Sequence, residues 1–183
     1  HKIHGPKGIG FLYIKEKTKI RPISFGGDQQ KGMRSGTINV PGIAGLGVAA
    51  AEAYAHLAEN AEHMYELKAY FADKLQQIGD VTINGKAGHD SAPQIISASF
   101  LGVRSEVLLH SLEDRCIYVS AGSACSSNHP SQSGTLLNIG LDHAHQESTL
   151  RFSFCPETTR EELDYTYGVL EELLPMLRRY TRH

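Results

Sequence analysis

The stretch STLRFSFCPETTREELDYTYGVL, residues 148–170, decides the fold class, because its hydrophobic period changes from that of a strand to that of a helix. Its first part has apolar residues at every second position: Leu150, Phe152 and Phe154. That alternation predicts a strand with one buried face. After the turn, apolar residues recur three or four positions apart, which predicts a helix. Thr159 followed by Glu162 fits a capping box at the start of that helix.

The segments before this stretch repeat the same change of period. QIISASF (94–100) predicts a strand, SEVLLHSLED (105–114) a helix, and CIYVS (116–120) another short strand. GTLLNIGL (134–141) predicts a helical turn or two before the strand at 148–154. Strands that alternate with helices in this way predict a small α/β domain, which we place at residues 80–183.

The residues before this domain divide into two parts. IGFLYI (9–14) is rich in strand-forming residues, and the polar, glycine-rich segment 24–40 predicts a functional loop. From Pro41 onward, apolar residues at helical spacing predict a single long helix over about 42–78. We therefore expect residues 1–40 to belong to another domain and residues 41–79 to form a connecting helix.

Composition restricts the classes of function. The 183 residues are 40% hydrophobic and 21% charged, and the formal net charge is −2. This balance argues against duplex DNA or an anionic membrane surface as a partner. Three cysteines without a CxxC spacing argue against a disulfide framework and a four-cysteine metal site. We expect no metal, no membrane and no nucleic acid as direct partners, and a reducing, cytoplasmic setting.

Four residues are candidates for chemistry, and each has an ordinary alternative. Lys2, before a Gly-Pro-Lys-Gly turn, could be an amine nucleophile or a solvated surface charge. Cys125, in a loop of small residues, could be a reactive thiol or an incidental one. Arg151, on the polar face of its predicted strand, could bind a carboxylate or form a surface salt bridge. Thr37, in RSGT, could contribute to a phosphate site.

The cysteine at position 116 raises a different expectation from Cys125. Cys116 opens the short predicted strand CIYVS, whose other residues are mostly apolar. Free cysteine in such a setting is most often a small buried hydrophobic residue. The sequence therefore predicts a buried Cys116.

Four motifs, in order, resemble those of cysteine desulfurases. HKIHGPKGIGFLYI (1–14) is similar to the segment that carries the lysine of pyridoxal phosphate. GGDQQKGMRSGTIN (26–39) is similar to the loop that reaches the cofactor phosphate across a dimer interface. VSAGSACSS (119–127) resembles the sulfur-accepting loop of group I, and residues 150–170 resemble the final strand and helix. The resemblance runs from His1 to about residue 177.

The resemblance implies a fold-type I transferase that depends on pyridoxal phosphate, of which this chain would be the C-terminal part. Lys2 would form the Schiff base with the cofactor, His1 would help to hold its phosphate, and Thr37 would do so from the partner subunit of a homodimer. Arg151 would bind the substrate carboxylate. Cys125 would attack the sulfur of L-cysteine, so that alanine leaves and a persulfide remains.

The same resemblance implies sulfur-acceptor proteins as partners, for iron–sulfur cluster assembly or tRNA thiolation. Gln30 stands where the family commonly has Glu, and FCPETT (154–159) replaces a turn that usually contains glycine. We expect the N-terminal half of the family's fold to lie outside this chain and the chain alone to be inactive. Two alternatives stay open: a selenocysteine lyase or other aminotransferase-like enzyme, and a fragment that only binds partners.

Overall fold

The computed structural model describes residues 1–121 and 134–180. The chain divides into two compact units, residues 1–57 and 58–183. The elements, in chain order, are α1 (Val40–Ala55), α2 (Leu57–Gln77), β1 (Val81–Asn84), β2 (Ile95–Phe100), α3 (Ser105–Glu113), β3 (Ser120–Ala121), α4 (Gly134–Asn138), α5 (His143–Glu147), β4 (Thr149–Ser153) and α6 (Arg160–Tyr180). Among the helices of the described residues, none combines the length and apolar character that a bilayer crossing requires.

The first unit contains α1 and a long irregular segment before it. The side chain of Asn39 caps α1 by accepting a hydrogen bond from Gly42 N–H at 3.1 Å. The strand predicted over 9–14 is not formed, and its aromatic residues Phe11 and Tyr13 are 85% and 79% exposed. A strand is stable only when a neighbouring strand satisfies its backbone groups. Within the described part of the chain, no strand pairs with residues 9–14.

The single helix predicted over 42–78 is wrong, because two helices occupy that range. His56 separates α1 from α2, with φ −118° and ψ 22°. These angles lie outside the α-helical region, so the ladder of hydrogen bonds is interrupted at this residue. The apolar spacing continues on both sides of His56, which is why the sequence pattern did not reveal the break. The proposed division of the chain at residues 40 and 79 stays a prediction.

The second unit is built on a four-stranded antiparallel sheet in the order β1-β2-β4-β3. The two central strands are the predicted ones, and Ile96 of β2 lies opposite Phe152 of β4. The sequence pattern missed the edge strand β1. The sheet's apolar face packs against three helices. The largest fully buried side chains of this core are Leu67, Phe71, Leu75, Ile96, Phe100, Leu108, Leu112, Leu150, Leu170 and Leu174.

Two details of this unit bear on the sequence predictions. The capping box is confirmed, because Thr159 N–H donates to Glu162 Oε2 at 3.0 Å and Glu162 N–H donates to Thr159 Oγ1 at 3.3 Å. The prediction of a buried Cys116 is wrong, because this residue is exposed. Cys116 lies in the turn that ends α3, with a left-handed φ of 59°, and its N–H donates to Glu113 O at 2.9 Å. The turn directs Ile117 into the core instead.

Candidate active site

Arg151 lies in a row of polar residues that crosses the sheet. In the strand register, Ser97 of β2 and Ser120 of β3 are its neighbours on either side. Cross-strand neighbours point to the same face, so the three side chains share the face opposite the hydrophobic core. Arg151 Nη2 donates a hydrogen bond to Ser120 Oγ at 3.3 Å. Ser97 Oγ instead accepts from Asn84 Nδ2, also at 3.3 Å.

The guanidinium of Arg151 has donors that the described residues do not use. Its Nε is buried and has no hydrogen-bond partner among the residues that the structure describes. No Asp or Glu in residues 1–121 and 134–180 forms an ion pair with it. A buried donor that stays unpaired costs about 1–3 kcal/mol. A carboxylate ligand would remove that cost, whereas the surface salt bridge considered from the sequence is not seen among the described residues.

A buried polar network supports this face of the sheet. Ser99, which is 0% exposed, accepts from Asn84 Nδ2 at 2.9 Å and shares a hydrogen bond of 2.8 Å with Thr149. Thr149 Oγ1 donates to the carbonyl of His145 at 2.6 Å, and the same carbonyl lies 3.1 Å from Ser99 Oγ. Satisfied buried networks of this kind hold a single arrangement. The network therefore fixes α5 against β2 and against β4, the strand that carries Arg151.

Helix α5 is itself held at its N-terminus. Asp142 accepts hydrogen bonds from the backbone N–H of His145 at 2.9 Å and from its ring Nδ1 at 2.8 Å. The backbone hydrogen bond and then the ring hydrogen bond keep the pKa of the Asp142 carboxyl below its usual value. The sequence analysis identified neither this cap nor the network of Ser99 and Thr149. The run of Ser and Thr at the polar positions of β2 and β4 was the signal available for the network.

The residues that the resemblance assigns to the cofactor belong to the first unit. His1, Lys2 and Thr37 are all exposed to solvent. Thr37 follows Gly36, whose left-handed φ of 109° favours glycine. The N–H of Gly36 donates to Gln29 Oε1 at 3.0 Å, which braces the loop just before Thr37. This loop therefore presents a hydroxyl to solvent from a backbone that is held by its own side chains.

A second hydrogen bond closes the same loop, since Ser35 Oγ donates to the carbonyl of Gly27 at 2.7 Å. Gln30, the departure from the family pattern, lies between these anchors with a φ of 54°. Cys125 lies outside the described residues. Lys2 and Thr37 belong to the unit of residues 1–57 and Arg151 to the unit of residues 58–183.

Comparison with known proteins defines the class of this chain. The family described as aminotransferase class-V matches residues 1–166, and the chain belongs to this family. It is 40% identical over 181 residues to a cysteine desulfurase IscS of Dictyoglomus turgidum, a match that covers 97% of this chain and 45% of that protein. The sequence-based recognition of the family is thereby confirmed.

Solved structures agree with this assignment. A NifS-like protein superposes with a TM-score of 0.85 at 36% identity, over 97% of this chain and 45% of that one. SspA, solved in complex with cysteine, gives a TM-score of 0.59 at 26% identity, over 87% of this chain and 43% of that one. These likenesses confirm the predicted α/β fold class. The chain spans a little under half the length of the relatives it matches.

Proposed function

We propose that this chain forms part of a pyridoxal phosphate-dependent cysteine desulfurase, which converts L-cysteine to L-alanine and leaves the sulfur on Cys125 as a persulfide. The observation that carries the proposal is Arg151, whose guanidinium has a buried donor without a partner among the described residues. A substrate that carries an α-carboxylate suits this group. The relative solved in complex with cysteine supports the choice of substrate.

The residues of the first unit fit the cofactor by their chemistry. Pyridoxal phosphate needs an amine for its aldehyde and hydrogen-bond donors for its phosphate. Lys2 offers an exposed amine, while the imidazole of His1 and the hydroxyl of Thr37 are exposed donors. When bound, the cofactor supplies an electron sink for the carbon that loses a proton. In this proposal residues 1–40 belong to the cofactor-binding domain, residues 41–79 connect it to a small domain, and residues 80–183 form that domain.

The chain's own residues would divide the remaining work. Arg151 would hold the substrate α-carboxylate with its planar fork and so orient the amino acid. Lys2 Nζ would remove the α-proton as a general base and return a proton as an acid. The thiolate of Cys125 would form a bond to the substrate sulfur as the bond from that sulfur to the β-carbon breaks. The carbon skeleton gains a proton and leaves as alanine, so that atoms and charge balance.

The proposal extends to partners and setting. Thr37 would contact the phosphate bound by the partner subunit in a homodimer. The outer sulfur of the Cys125 persulfide would pass to acceptor proteins that serve iron–sulfur cluster assembly or tRNA thiolation, which leaves the Cys125 thiol free for the next turnover. The setting would be cytoplasmic, where thiols stay reduced and a reactive cysteine can turn over.

Alanine release from L-cysteine tests this function in the protein loaded with pyridoxal phosphate and completed by the rest of the fold. We expect alanine from the unaltered protein and none from Lys2→Ala. Arg151→Lys should raise the KM for L-cysteine, because an ammonium cannot bind a carboxylate as a fork. Supplying selenocysteine, or an α-keto acid acceptor, separates the related activities. Efficient amino-group transfer to the keto acid, without alanine from L-cysteine, would contradict the proposal.

A further inference from the structure

The orientation of the Arg151 guanidinium depends on one described hydrogen bond. Nη2 donates to Ser120 Oγ at 3.3 Å, and Ser120 is the register partner of Arg151 on β3. The described part of β3 contains only Ser120 and Ala121, so Ser120 is one of its two residues. The hydrogen bond therefore joins the short edge strand to the arginine of its neighbour.

The other neighbour of Arg151 makes no such bond. Ser97 flanks Arg151 on β2 in the same register, but its hydroxyl accepts from Asn84 Nδ2. Two serines thus flank one arginine in direct cross-strand register, and Ser120 alone of the two contacts the guanidinium among the described residues. The pair offers a comparison in which residue type, register to Arg151 and face of the sheet are the same, while Ser97 lies on a central strand and Ser120 on an edge strand.

We propose that Ser120 is a positioning residue for substrate binding, which acts by holding the plane of the Arg151 guanidinium. The proposal rests on the proposed function, because it assigns the carboxylate of the amino-acid substrate to Arg151. A guanidinium binds a carboxylate through two parallel hydrogen bonds only when its plane is set. The hydroxyl of Ser120 occupies one donor at Nη2 and leaves the others for the substrate.

The physical gain is preorganisation. An arginine side chain without such an anchor samples many rotamers, and binding must then order it at an entropic cost. The buried Nε limits this motion from one side and Ser120 limits it from the other. Removing the Ser120 hydroxyl keeps the charge of Arg151 but lets its guanidinium plane rotate. Substrate binding should suffer, and the chemistry of a bound substrate should change little.

Two measurements test this role. The first follows the Nε–H resonance of Arg151 by ¹⁵N NMR in this chain, assigned through its loss in Arg151→Lys. Ser120→Ala should speed hydrogen exchange at Nε–H severalfold, while Ser97→Ala should leave the exchange rate unchanged.

The second measurement gives KM and kcat for L-cysteine in the completed enzyme. Ser120→Ala should raise KM about five- to tenfold, the cost of ordering one long side chain on binding, and lower kcat less than about twofold.

Ser120→Thr, which keeps a hydroxyl, should restore both values and also serves if the alanine variant does not fold. The proposal is overturned if Ser120→Ala leaves the Nε–H exchange rate unchanged, or if Ser97→Ala alters exchange and KM as strongly as Ser120→Ala does. The NMR measurement needs no turnover. It therefore decides the positioning role even if the completed protein releases no alanine, an outcome that would count against the proposed function alone.

Discussion

Phe71 of α2 should be the most informative residue for the packing of the second unit. Its side chain is 0% exposed and meets two aromatic residues of the β4 region edge-on: Phe152 at 5.3 Å and Phe154 at 6.3 Å between ring centroids. Each such pair contributes about 0.5–1.5 kcal/mol beyond the burial of area. Phe71→Leu keeps most of the volume but loses both pairs, so it should lower the free energy of unfolding by about 1–3 kcal/mol.

Urea denaturation followed by far-UV circular dichroism measures this loss, because a unit with a stability of about 5–15 kcal/mol remains folded after it. The matched control is Tyr118→Leu, an aromatic residue that is 79% exposed and should change stability by less than about 0.5 kcal/mol. A double-mutant cycle with Phe152→Leu should give a coupling of about 0.5–1.5 kcal/mol. If Phe71→Leu were no more destabilising than Tyr118→Leu, the packing of α2 against the sheet would be refuted.

Two further predictions concern α6. Thr159→Ala removes the cap that binds Glu162 N–H and should destabilise the unit by about 1 kcal/mol in the same urea assay; Thr159→Ser is the control and should stay near the unaltered protein. Hydrogen bonds from Lys74 and then Tyr70 hold the pKa of the Asp164 carboxyl below its usual value. The ionised carboxylate therefore stabilises the folded state fully above about pH 4, the pKa of an unfolded Asp, and this contribution is lost as the pH falls through the folded-state pKa. The Tm difference between Asp164→Asn and the unaltered protein should therefore shrink on acidification towards pH 3, and a difference that grew would contradict this origin.

The sequence predicted most of the second unit because its signals are local. The alternation at Leu150, Phe152 and Phe154 and the capping box at Thr159 depend on residues within one element. Such patterns persist whatever the element packs against. The edge strand β1 was missed, since its four residues Val81–Asn84 are too short to show a period.

The errors share a different origin, in the backbone or in missing neighbours. The backbone at His56 leaves the helical region, and the backbone at Cys116 is left-handed where a strand was expected. Neither residue is a glycine or proline, the residue types that usually mark such breaks. The strand expected at 9–14 has strand-forming side chains, but pairing depends on distant residues that a local pattern does not contain. For the site, the position of Arg151 on a polar strand face followed from alternation. Its contact with Ser120 depends on the cross-strand register, which the sequence alone does not supply.

The most direct test of the proposed activity is the mass of the protein after one turnover. The completed, cofactor-loaded protein is mixed with L-cysteine and digested, and the peptide that contains Cys125 is analysed by mass spectrometry without reductant. We predict that this peptide gains one sulfur atom, that alanine appears in equal amount, and that Cys125→Ser abolishes the added sulfur. Full-rate persulfide formation on the Cys125→Ser protein, at another cysteine such as the exposed Cys116, would contradict the assignment of the sulfur acceptor.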